Sequence, residues 1–384
     1  MTTLPAPSAD ALATSQALCR RIADAIRAEG GWIPFSRYME LALYAPGLGY
    51  YSAGSCKLGS AGDFTTAPEM SPFFGRTLAR QLAQILPQTA GDLYEFGAGT
   101  GKLAIDILTE LERLDALPRR YVILDLSADL IERQQSAIRA ALPHLAARVV
   151  WRDSLPDQID GVVIGNEVLD AMPCELLHWT PQPMLRGVTL NPEGGFQWED
   201  RPPTDTQLIR LAADTGVNDS DYTSEISLAN RAFIHTLASR LARGGIILID
   251  YGYPAAEYYH PQRHMGTLIG HYRHHTVDDP FYLPGLMDLT CHVDFTAIAQ
   301  CGIDAGLDLI GYTTQAQFLV NAGITRLLQE LDAADSASYL PQAAMVQKLL
   351  SMQEMGELFK VIGFGKQVDI HWQGFLDGDR CHTL

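Results

Sequence analysis

The sequence predicts an α/β fold whose central sheet is mostly parallel. Beyond residue 90, short apolar runs that are typical of strands alternate with segments of helical periodicity, which is the pattern of right-handed βαβ units. Six strands are predicted in this part of the chain, over 92–96, 121–125, 148–152, 161–166, 246–251 and 307–313. A glycine-rich turn follows the first of them directly. Hydrophobic residues make up 47% of the 384 positions, which is enough for a large buried core.

The first 90 residues are predicted to form a helical layer in front of this sheet. Apolar residues recur at helical spacing over 15–28, and Ser36 and Ser71 are candidate N-caps for helices over 37–44 and 72–86. We therefore assign 1–90 to an N-terminal helical extension and 91–384 to the α/β core.

Two stretches interrupt the pattern of the core. Alternating apolar residues broken by Pro and Gly predict an antiparallel insertion of two or three strands at about 174–200. The stretch at about 252–292 is rich in Pro, Gly, His and Tyr and is predicted to be one long loop. A loop of that length in a compact domain is typical of a lid or a binding loop.

The composition excludes several classes of protein. A formal net charge of −17 opposes a broad phosphate-binding face, so nucleic acid is not an expected partner. No apolar stretch is long enough to span a bilayer, and the N-terminus lacks the regions of a signal peptide. The six cysteines are far apart, which argues against a disulfide framework or a zinc site and indicates a reducing compartment. We expect a bacterial cytoplasmic protein.

The turn after the first strand indicates the class of cofactor. A dinucleotide fold has the spacing G-x-G-x-x-G, whereas the glycines here are spaced G-x-G-x-G and follow an acidic residue. S-adenosylmethionine has an ammonium group and no pyrophosphate, so it suits an acidic loop better than a dinucleotide does. The alternative is a tight βα turn without a ligand. The predicted cofactor loop is Glu95-Phe96-Gly97-Ala98-Gly99-Thr100-Gly101.

Side chains after the next two strands are candidates for the nucleoside half of the cofactor. Asp125 is predicted to accept hydrogen bonds from the ribose hydroxyls, with Leu126 beside it. The alternative is that Asp125 only neighbours a helix N-cap, with Ser127 as the cap. Asp153 and Ser154 suit either an adenine edge or the cap of the next helix, and the sequence favours neither.

Polar residues also follow the fourth strand, at the crevice where open α/β sheets bind ligands. Asn166 and Glu167 are candidate cofactor contacts, and Glu167 and Asp170 are candidates for chemistry. Such groups are costly to leave unpaired in a crevice, so they serve either chemistry or a local helix cap.

These residues resemble a known family, the MidA family of class I methyltransferases, which has a mitochondrial member that assists assembly of respiratory complex I. The similarity continues in order through much of the chain. The motifs that carry it lie at 36–39, 43–46, 62–69, 95–101, 165–173, 250–252, 257–263, 266–268, 271–274, 278–280, 292–296 and 359–362.

The resemblance implies a Rossmann-like methyltransferase fold with a seven-stranded sheet, and S-adenosylmethionine as the cofactor. It implies methyl transfer to a protein, arginine being the acceptor of the mitochondrial member. It also implies a function for Asp63, Pro68 and Glu69, in a loop that could close over the cofactor. One departure is Asp125, where the family more often has glutamate; the charge is the same and the reach is shorter.

Methyl transfer from a sulfonium is an in-line displacement that needs positioning and a carboxylate beside the acceptor. Glu167 is the first candidate for that carboxylate. A guanidinium acceptor could be held by Glu167 together with Asp170 or Asp294, and His292 could orient the acceptor. The alternatives are that Asp170 and Asp294 only cap the helices that follow them.

Two hypotheses differ in what the protein does to its partner. We expect a soluble enzyme that methylates a protein substrate, with arginine the favoured acceptor. The alternative is a factor that binds S-adenosylmethionine and assists assembly by docking, without catalysis. No metal is expected, because the histidines of 251–295 lie in a predicted loop without a cysteine pair. The sequence leaves the oligomeric state open, a homodimer included.

Overall fold

The computed structural model describes residues 4–53, 66–180, 182–219, 221–369 and 371–384. Asp63, which the resemblance implies in cofactor binding, lies outside the described residues. Within these ranges, no helix is both long enough and apolar enough to cross a membrane.

The helices lie at both ends of the chain and between the strands. The α-helices are α1 (Ala9–Ala28), α2 (Phe35–Tyr44), α3 (Ala67–Met70), α4 (Pro72–Ile85), α5 (Lys102–Arg113), α6 (Ala128–Ala141), α7 (Thr206–Asp214), α8 (Leu228–Arg240), α9 (Ala255–Tyr258), α10 (Phe295–Asp304), α11 (Gln315–Asn321), α12 (Ile324–Gln329) and α13 (Ser336–Leu350). Short 3₁₀ turns occupy Leu86–Gln88, Ala146–Arg148, Pro261–Arg263, Gln373–Phe375 and Cys381–Thr383.

The strands form three sheets. They are β1 (Trp32–Pro34), β2 (Asp92–Phe96), β3 (Arg120–Leu124), β4 (Val149–Arg152), β5 (Ile159–Asn166), β6 (Glu175–Trp179), β7 (Pro183–Leu190), β8 (Phe196–Arg201), β9 (Tyr222–Ile226), β10 (Leu241–Tyr253), β11 (Ile269–Tyr272), β12 (His275–Val277), β13 (Asp288–Thr290), β14 (Val293–Asp294), β15 (Asp308–Thr314) and β16 (Phe359–Lys366).

The central sheet has the strand order β15-β16-β10-β5-β2-β3-β4, and β14 adds a short parallel pairing to β10. All other neighbours are parallel except β16, which runs antiparallel to both β10 and β15. Its α/β, mostly parallel character confirms the predicted fold class. The strand order reverses at β2, which lies between β3 and β5, and ligands bind at such a switch point.

The six strands predicted from periodicity are present, with ends shifted by a few residues. The antiparallel strand β16 was not predicted as a strand, although the sequence motif at 359–362 lies within it. Helices cover both faces of the sheet: apolar residues of α4, α5 and α6 pack on one face, and those of α8 and α10 pack on the other.

The two insertions form smaller sheets. β6, β7 and β8 confirm the antiparallel strands predicted at 174–200, and β9 and β1 extend their sheet. The prediction of one long loop over 252–292 was wrong, because this stretch contains α9 and the three-stranded sheet β12-β11-β13. Its apolar side chains share a core with α1 and α2, so most of the stretch is packed structure.

Two of the predicted N-caps have different outcomes. Ser71 caps α4, and its side chain accepts a hydrogen bond from the Phe73 backbone N–H. Ser36 is not a cap, because α2 begins at Phe35, before Ser36, and Pro34 is at the N-cap position. Its hydroxyl instead donates to Glu175 at 2.7 Å, which joins α2 to β6.

A buried ion cluster joins α4 to α5. The carboxylate of Glu110 is fully buried and accepts hydrogen bonds from Arg76, Arg80 and Arg113 at 2.9, 3.1 and 2.6 Å. Burial alone would raise the pKa of Glu110, but the hydrogen bonds from Arg113 and Arg76 hold it below the usual value. This stabilisation is therefore present above the unfolded-state pKa and is lost as the pH falls.

We expect Glu110→Gln to lower the free energy of unfolding by about 3 kcal/mol, because three guanidinium groups lose the buried anion that they share. Urea denaturation of both proteins at pH 7 measures the difference. The control is Glu330→Gln. Glu330 contacts the same arginines, but its side chain is 40% exposed, so its substitution should lower the free energy of unfolding by less than about 1 kcal/mol. Equal losses for the two variants would contradict the assignment.

Candidate functional site

A cleft of about 920 Å³ opens at the carboxyl ends of β2 and β5. It brings together every described residue that was predicted to contact the cofactor, except Gly101. The predicted residues that line it are Pro68, Glu69, Glu95, Gly97, Ala98, Gly99, Thr100, Asp125, Leu126, Asp153, Ser154, Asn166 and Glu167.

The turn after β2 requires its glycines. Gly97, Gly99 and Gly101 have φ angles of 65°, 52° and 84°, in the left-handed region that side chains with a Cβ rarely adopt. Gly101 is buried and stands at the N-cap of α5, so it shapes the turn without lining the cleft. Thr100 donates a hydrogen bond to Glu69 on α3, which holds that short helix against the turn.

Glu95 is a buried carboxyl at the floor of the turn. Tyr121 donates a hydrogen bond to it at 2.8 Å. Burial raises the pKa of Glu95 to about 8, and the nearby charge of Asp125 adds to the effect. A buried carboxyl of this kind favours a cationic ligand, because a positive charge would offset the cost of its ionisation. An ammonium group of the cofactor fits this requirement.

Asp125 belongs to a hydrogen-bond network that the sequence did not reveal. The buried amide of Gln134 on α6 donates to the Gly99 carbonyl oxygen at 3.0 Å and to Asp125 Oδ2 at 2.8 Å. Its carbonyl oxygen accepts from Trp151 Nε1 at 2.8 Å. Gln134 thereby links the glycine turn to the candidate ribose ligand. No motif marks this residue, which lies in the middle of an ordinary helix.

The structure also resolves the helix-cap alternatives on this side. Ser127 caps α6, and its backbone N–H donates to Asp125 Oδ1 at 2.9 Å. Asp125 therefore neighbours a cap and faces the cleft at the same time. Leu126 beside it is 83% exposed and lines the cleft. Asp153 and Ser154 cap no helix, because the chain passes from β4 to β5 without one.

Glu167 begins the turn after β5. Its φ of 53° is unusual for a residue with a side chain, and strain of this kind persists where the surrounding structure enforces it. Asn166 donates to its carboxylate at 3.0 Å, and the backbone of Ala67 on α3 also hydrogen-bonds to it. Burial and the charge of Asp170 raise the pKa of Glu167 to about 8.

Asp170 and Asp250 lie behind Glu167. Asp170 accepts a hydrogen bond from the Tyr251 hydroxyl at 2.6 Å, and Asp250 accepts from the Leu169 backbone N–H at 2.8 Å. Burial raises the pKa of Asp170 to about 6 and that of Asp250 well above its usual value. Asp170 does not cap a helix, since a turn leads from it towards β6. One of its carboxylate oxygens is buried without a hydrogen-bond partner among the described residues.

The structure places Asp294 and His292 outside the cleft. Asp294 caps α10, and its carboxylate accepts a hydrogen bond from the Ala297 backbone N–H. His292 packs against the rings of Tyr251 and Tyr253, with centroids 5.1 and 5.2 Å apart. Both residues line a separate cavity of about 20 Å³ and not the cleft, and β14 pairs with the last two residues of β10. Neither is brought together with Glu167.

Among the residues that the structure describes, no group of three or more His, Cys, Asp or Glu residues is arranged to hold a metal ion. The five described cysteines are free thiols.

We expect Gln134→Leu to weaken binding of S-adenosylhomocysteine about 10- to 100-fold, because the substitution removes the hydrogen bonds that orient Asp125 and the glycine turn. Isothermal titration calorimetry measures the dissociation constant. Gln347→Leu, at an exposed position on α13, is the matched control and should bind as the unaltered protein does. Unchanged affinity in a folded Gln134→Leu protein would contradict a positioning role.

Two solved structures match the entire chain. One is a protein of Burkholderia thailandensis, classed with methyl transferases and crystallised with S-adenosyl-homocysteine; it is 50% identical, covers 100% of both chains and superposes with a TM-score of 0.96. The other, a native crystal structure from the same organism, is also 50% identical over 100% of both chains, with a TM-score of 0.94. S-adenosylmethionine is therefore the cofactor of this protein.

Curated relatives are more distant and are named for a specific acceptor. The chain is 27% identical over 381 residues to the mitochondrial protein arginine methyltransferase NDUFAF7 of Danio rerio, covering 90% of this chain and 86% of that protein. The human protein of the same name is 27% identical over 368 residues, covering 86% and 79%.

A family model matches more than half of the chain. It covers residues 77–313 and is described as "Putative S-adenosyl-L-methionine-dependent methyltransferase". The match includes the glycine turn, Asp125 and the Glu167 turn, which line the cleft. The chain belongs to this family of S-adenosyl-L-methionine-dependent methyltransferases, the MidA family that the sequence motifs indicated.

Proposed function

We propose that this methyltransferase methylates a guanidinium nitrogen of arginine in a protein, and that Glu167 holds the acceptor. The observation that carries the proposal is the group of buried carboxyls formed by Glu167, Asp170 and Asp250. Burial, hydrogen bonds and neighbouring acids are the main influences on the pKa values of the three, and no arginine or lysine of the described residues is among these main influences. A cationic acceptor would supply the missing positive charge.

The charge of the whole cleft supports a cationic acceptor. Eight acidic residues and a single basic one, Lys102, are among the described residues that line it. Lys102 forms an ion pair with Asp106 on α5, so its charge is already balanced. An acceptor with phosphate or carboxylate groups would be repelled from this cleft, whereas arginine would be attracted.

Glu167 is the carboxylate best placed to contact the acceptor, because it is partly exposed at the cleft while Asp170 and Asp250 are buried. Asp250 orients the turn through its hydrogen bonds from the Leu169, Asp170 and Tyr251 backbone N–H groups. Tyr251 in turn holds Asp170. This arrangement keeps negative charge behind Glu167 and fixes the direction in which its carboxylate points.

S-adenosylmethionine, when bound, supplies a methyl group on a sulfonium; a nucleophile can take that methyl group as the S–C bond breaks and S-adenosylhomocysteine is released. Glu167 would accept hydrogen bonds from two N–H groups of the guanidinium and so direct the remaining nitrogen towards the cofactor end of the cleft. Methylation of that nitrogen releases a proton, and a carboxylate whose pKa burial has raised to about 8 can receive it. The exclusion of water strengthens both interactions.

The names of the curated relatives support arginine as the acceptor. The family resemblance makes a subunit of a respiratory enzyme of complex I type the first acceptor to test, and we propose that the protein acts in the bacterial cytoplasm. A factor that binds the cofactor and assists assembly without catalysis is the alternative. The absence of counter-charges at Glu167 favours the catalytic hypothesis, since docking alone does not require buried, unpaired acids.

We expect the purified protein to transfer labelled methyl groups from S-adenosylmethionine into a protein in the extract of a strain that lacks this gene. Glu167→Gln should reduce the transfer at least 100-fold, because the neutral amide cannot hold or deprotonate the guanidinium. Its affinity for S-adenosylhomocysteine should change less than about threefold. Mass spectrometry should locate the label on arginine.

The controls separate the two hypotheses. Glu193→Gln, at an exposed position in the turn between β7 and β8, should transfer methyl groups as the unaltered protein does. Equal transfer by Glu167→Gln would reject Glu167 as the acceptor ligand. The docking factor would be favoured if cells without the protein lost assembly activity while cells with Glu167→Gln kept it in full.

A second expectation concerns pH. Because the pKa of Glu167 in the free protein is about 8, its carboxyl is neutral at pH 6 and must lose a proton to bind a cation. The affinity of the S-adenosylhomocysteine complex for N-acetyl-arginine amide should therefore rise with pH, by at most about tenfold per unit, and level off above about pH 8. Calorimetry at several pH values measures this. Glu167→Gln should abolish most of the slope, and a slope that the variant retains would contradict the assignment.

A further inference from the structure

An aromatic pair stands at the end of the cleft away from the glycine turn. Tyr44 is the last residue of α2, and Tyr51 lies in the turn that follows. Their rings stack with centroids 5.5 Å apart and an interplanar angle of 24°. Both residues line the cleft, together with Glu167 and Asp170. The reaction proposed above does not use either tyrosine.

Hydrogen bonds hold both rings in place. The Tyr44 hydroxyl donates to the Ala171 carbonyl oxygen at 2.9 Å, one residue beyond Asp170. The Tyr51 hydroxyl lies 2.9 Å from each carboxylate oxygen of Asp288, a buried residue at the start of β13. The pair thus connects the N-terminal extension and the 252–292 insertion to the turn that contains the buried carboxyls.

Tyr44 keeps exposed surface at the cleft. Its ring stacks on Tyr51, yet the residue is 39% exposed and lines the cleft. The Tyr44 hydroxyl donates to Ala171, the residue after Asp170, and the stacked Tyr51 reaches Asp288, so both carboxyls lie close to the pair. An aromatic face and carboxylates therefore border the same part of the cleft.

This combination distinguishes two cations of equal charge. A guanidinium is planar and weakly hydrated, so it can stack on an aromatic face while its edge donates hydrogen bonds to carboxylates. An ammonium group is compact and strongly hydrated, and it gains less from a flat aromatic surface. A cleft with carboxylates alone would attract both cations.

We propose that Tyr44, backed by Tyr51, determines the specificity of the acceptor end by stacking on the planar guanidinium of arginine, so that lysine is disfavoured. The inference rests on the proposed function, in which Glu167 binds the edge of the same group. Tyr44 would contact the acceptor and would take no part in moving the proton.

The test compares N-acetyl-arginine amide with N-acetyl-lysine amide as probes. Each is titrated into the complex of the full-length protein with S-adenosylhomocysteine, in which no methyl transfer can occur. The unaltered protein should bind the arginine probe more tightly than the lysine probe. Tyr44→Leu should weaken the arginine probe about 2- to 30-fold, the range expected for a lost cation–π contact, and leave the lysine probe nearly unchanged. Tyr44→Phe should retain the preference, because it keeps the ring.

Matched controls make each outcome decisive. Tyr339→Leu, the same substitution on α13 and away from the cleft, should behave as the unaltered protein does. The affinity of each variant for S-adenosylhomocysteine reports whether the fold is intact. If Glu167→Gln weakens binding of the arginine probe but Tyr44→Leu does not, the role of Tyr44 is overturned and the proposed function stands. Arginine binding that Glu167→Gln does not weaken would overturn the proposed function and this inference with it.

Discussion

The molecule depends on one constraint: carboxyls are buried at the carboxyl ends of β2 and β5, and no basic partner for them is found in the described part of the chain. In-register pairing of Phe96 with Gly165 brings two turns of left-handed backbone side by side, one at the glycines after β2 and the other at Glu167 after β5. Burial raises the pKa of both Glu95 and Glu167 to about 8, so both turns favour ligands with positive charge. The ammonium group of the cofactor meets this need at one turn, and the proposed guanidinium acceptor meets it at the other.

The additions to the sheet complete the cleft. The N-terminal helices α1 and α2 and the 252–292 insertion share an apolar core, separate from those that cover the central sheet. Because they pack on each other, they present Tyr44, Tyr51 and Asp288 at the acceptor end as parts of one surface. The sheet and its glycine turn provide what any methyltransferase of this fold needs. In our proposal, the additions provide the side chains that distinguish one acceptor from another.

Much of the fold could be predicted, because a buried parallel strand is a short apolar run, and β2 and β3 are each followed by a helix with clear periodicity. β16 could not be predicted this way, since it enters the sheet antiparallel and far from the βαβ repeat. β11, β12 and β13 are three or four residues long, too short for an alternating pattern to emerge, and Pro and Gly interrupt the connection between β12 and β13. Their pairing depends on the core that they share with α1 and α2, which are more than 200 residues away.

By itself the sequence determined the cofactor turn and its acidic neighbours, because left-handed backbone requires glycine locally and the end of a parallel strand always lies at the ligand-binding edge. Only the tertiary structure decided which other polar side chains meet there. Asp294 and Glu167 look alike as acids that follow strands, but the pairing of β14 with β10 puts Asp294 at a helix cap in another cavity. Gln134 lies in a helix without any motif, and its hydrogen bonds reach residues 35, 9 and 17 positions away. Such contacts form because packing excludes water, so each buried polar group needs a hydrogen-bond partner within the protein. No local sequence pattern specifies which partner that is.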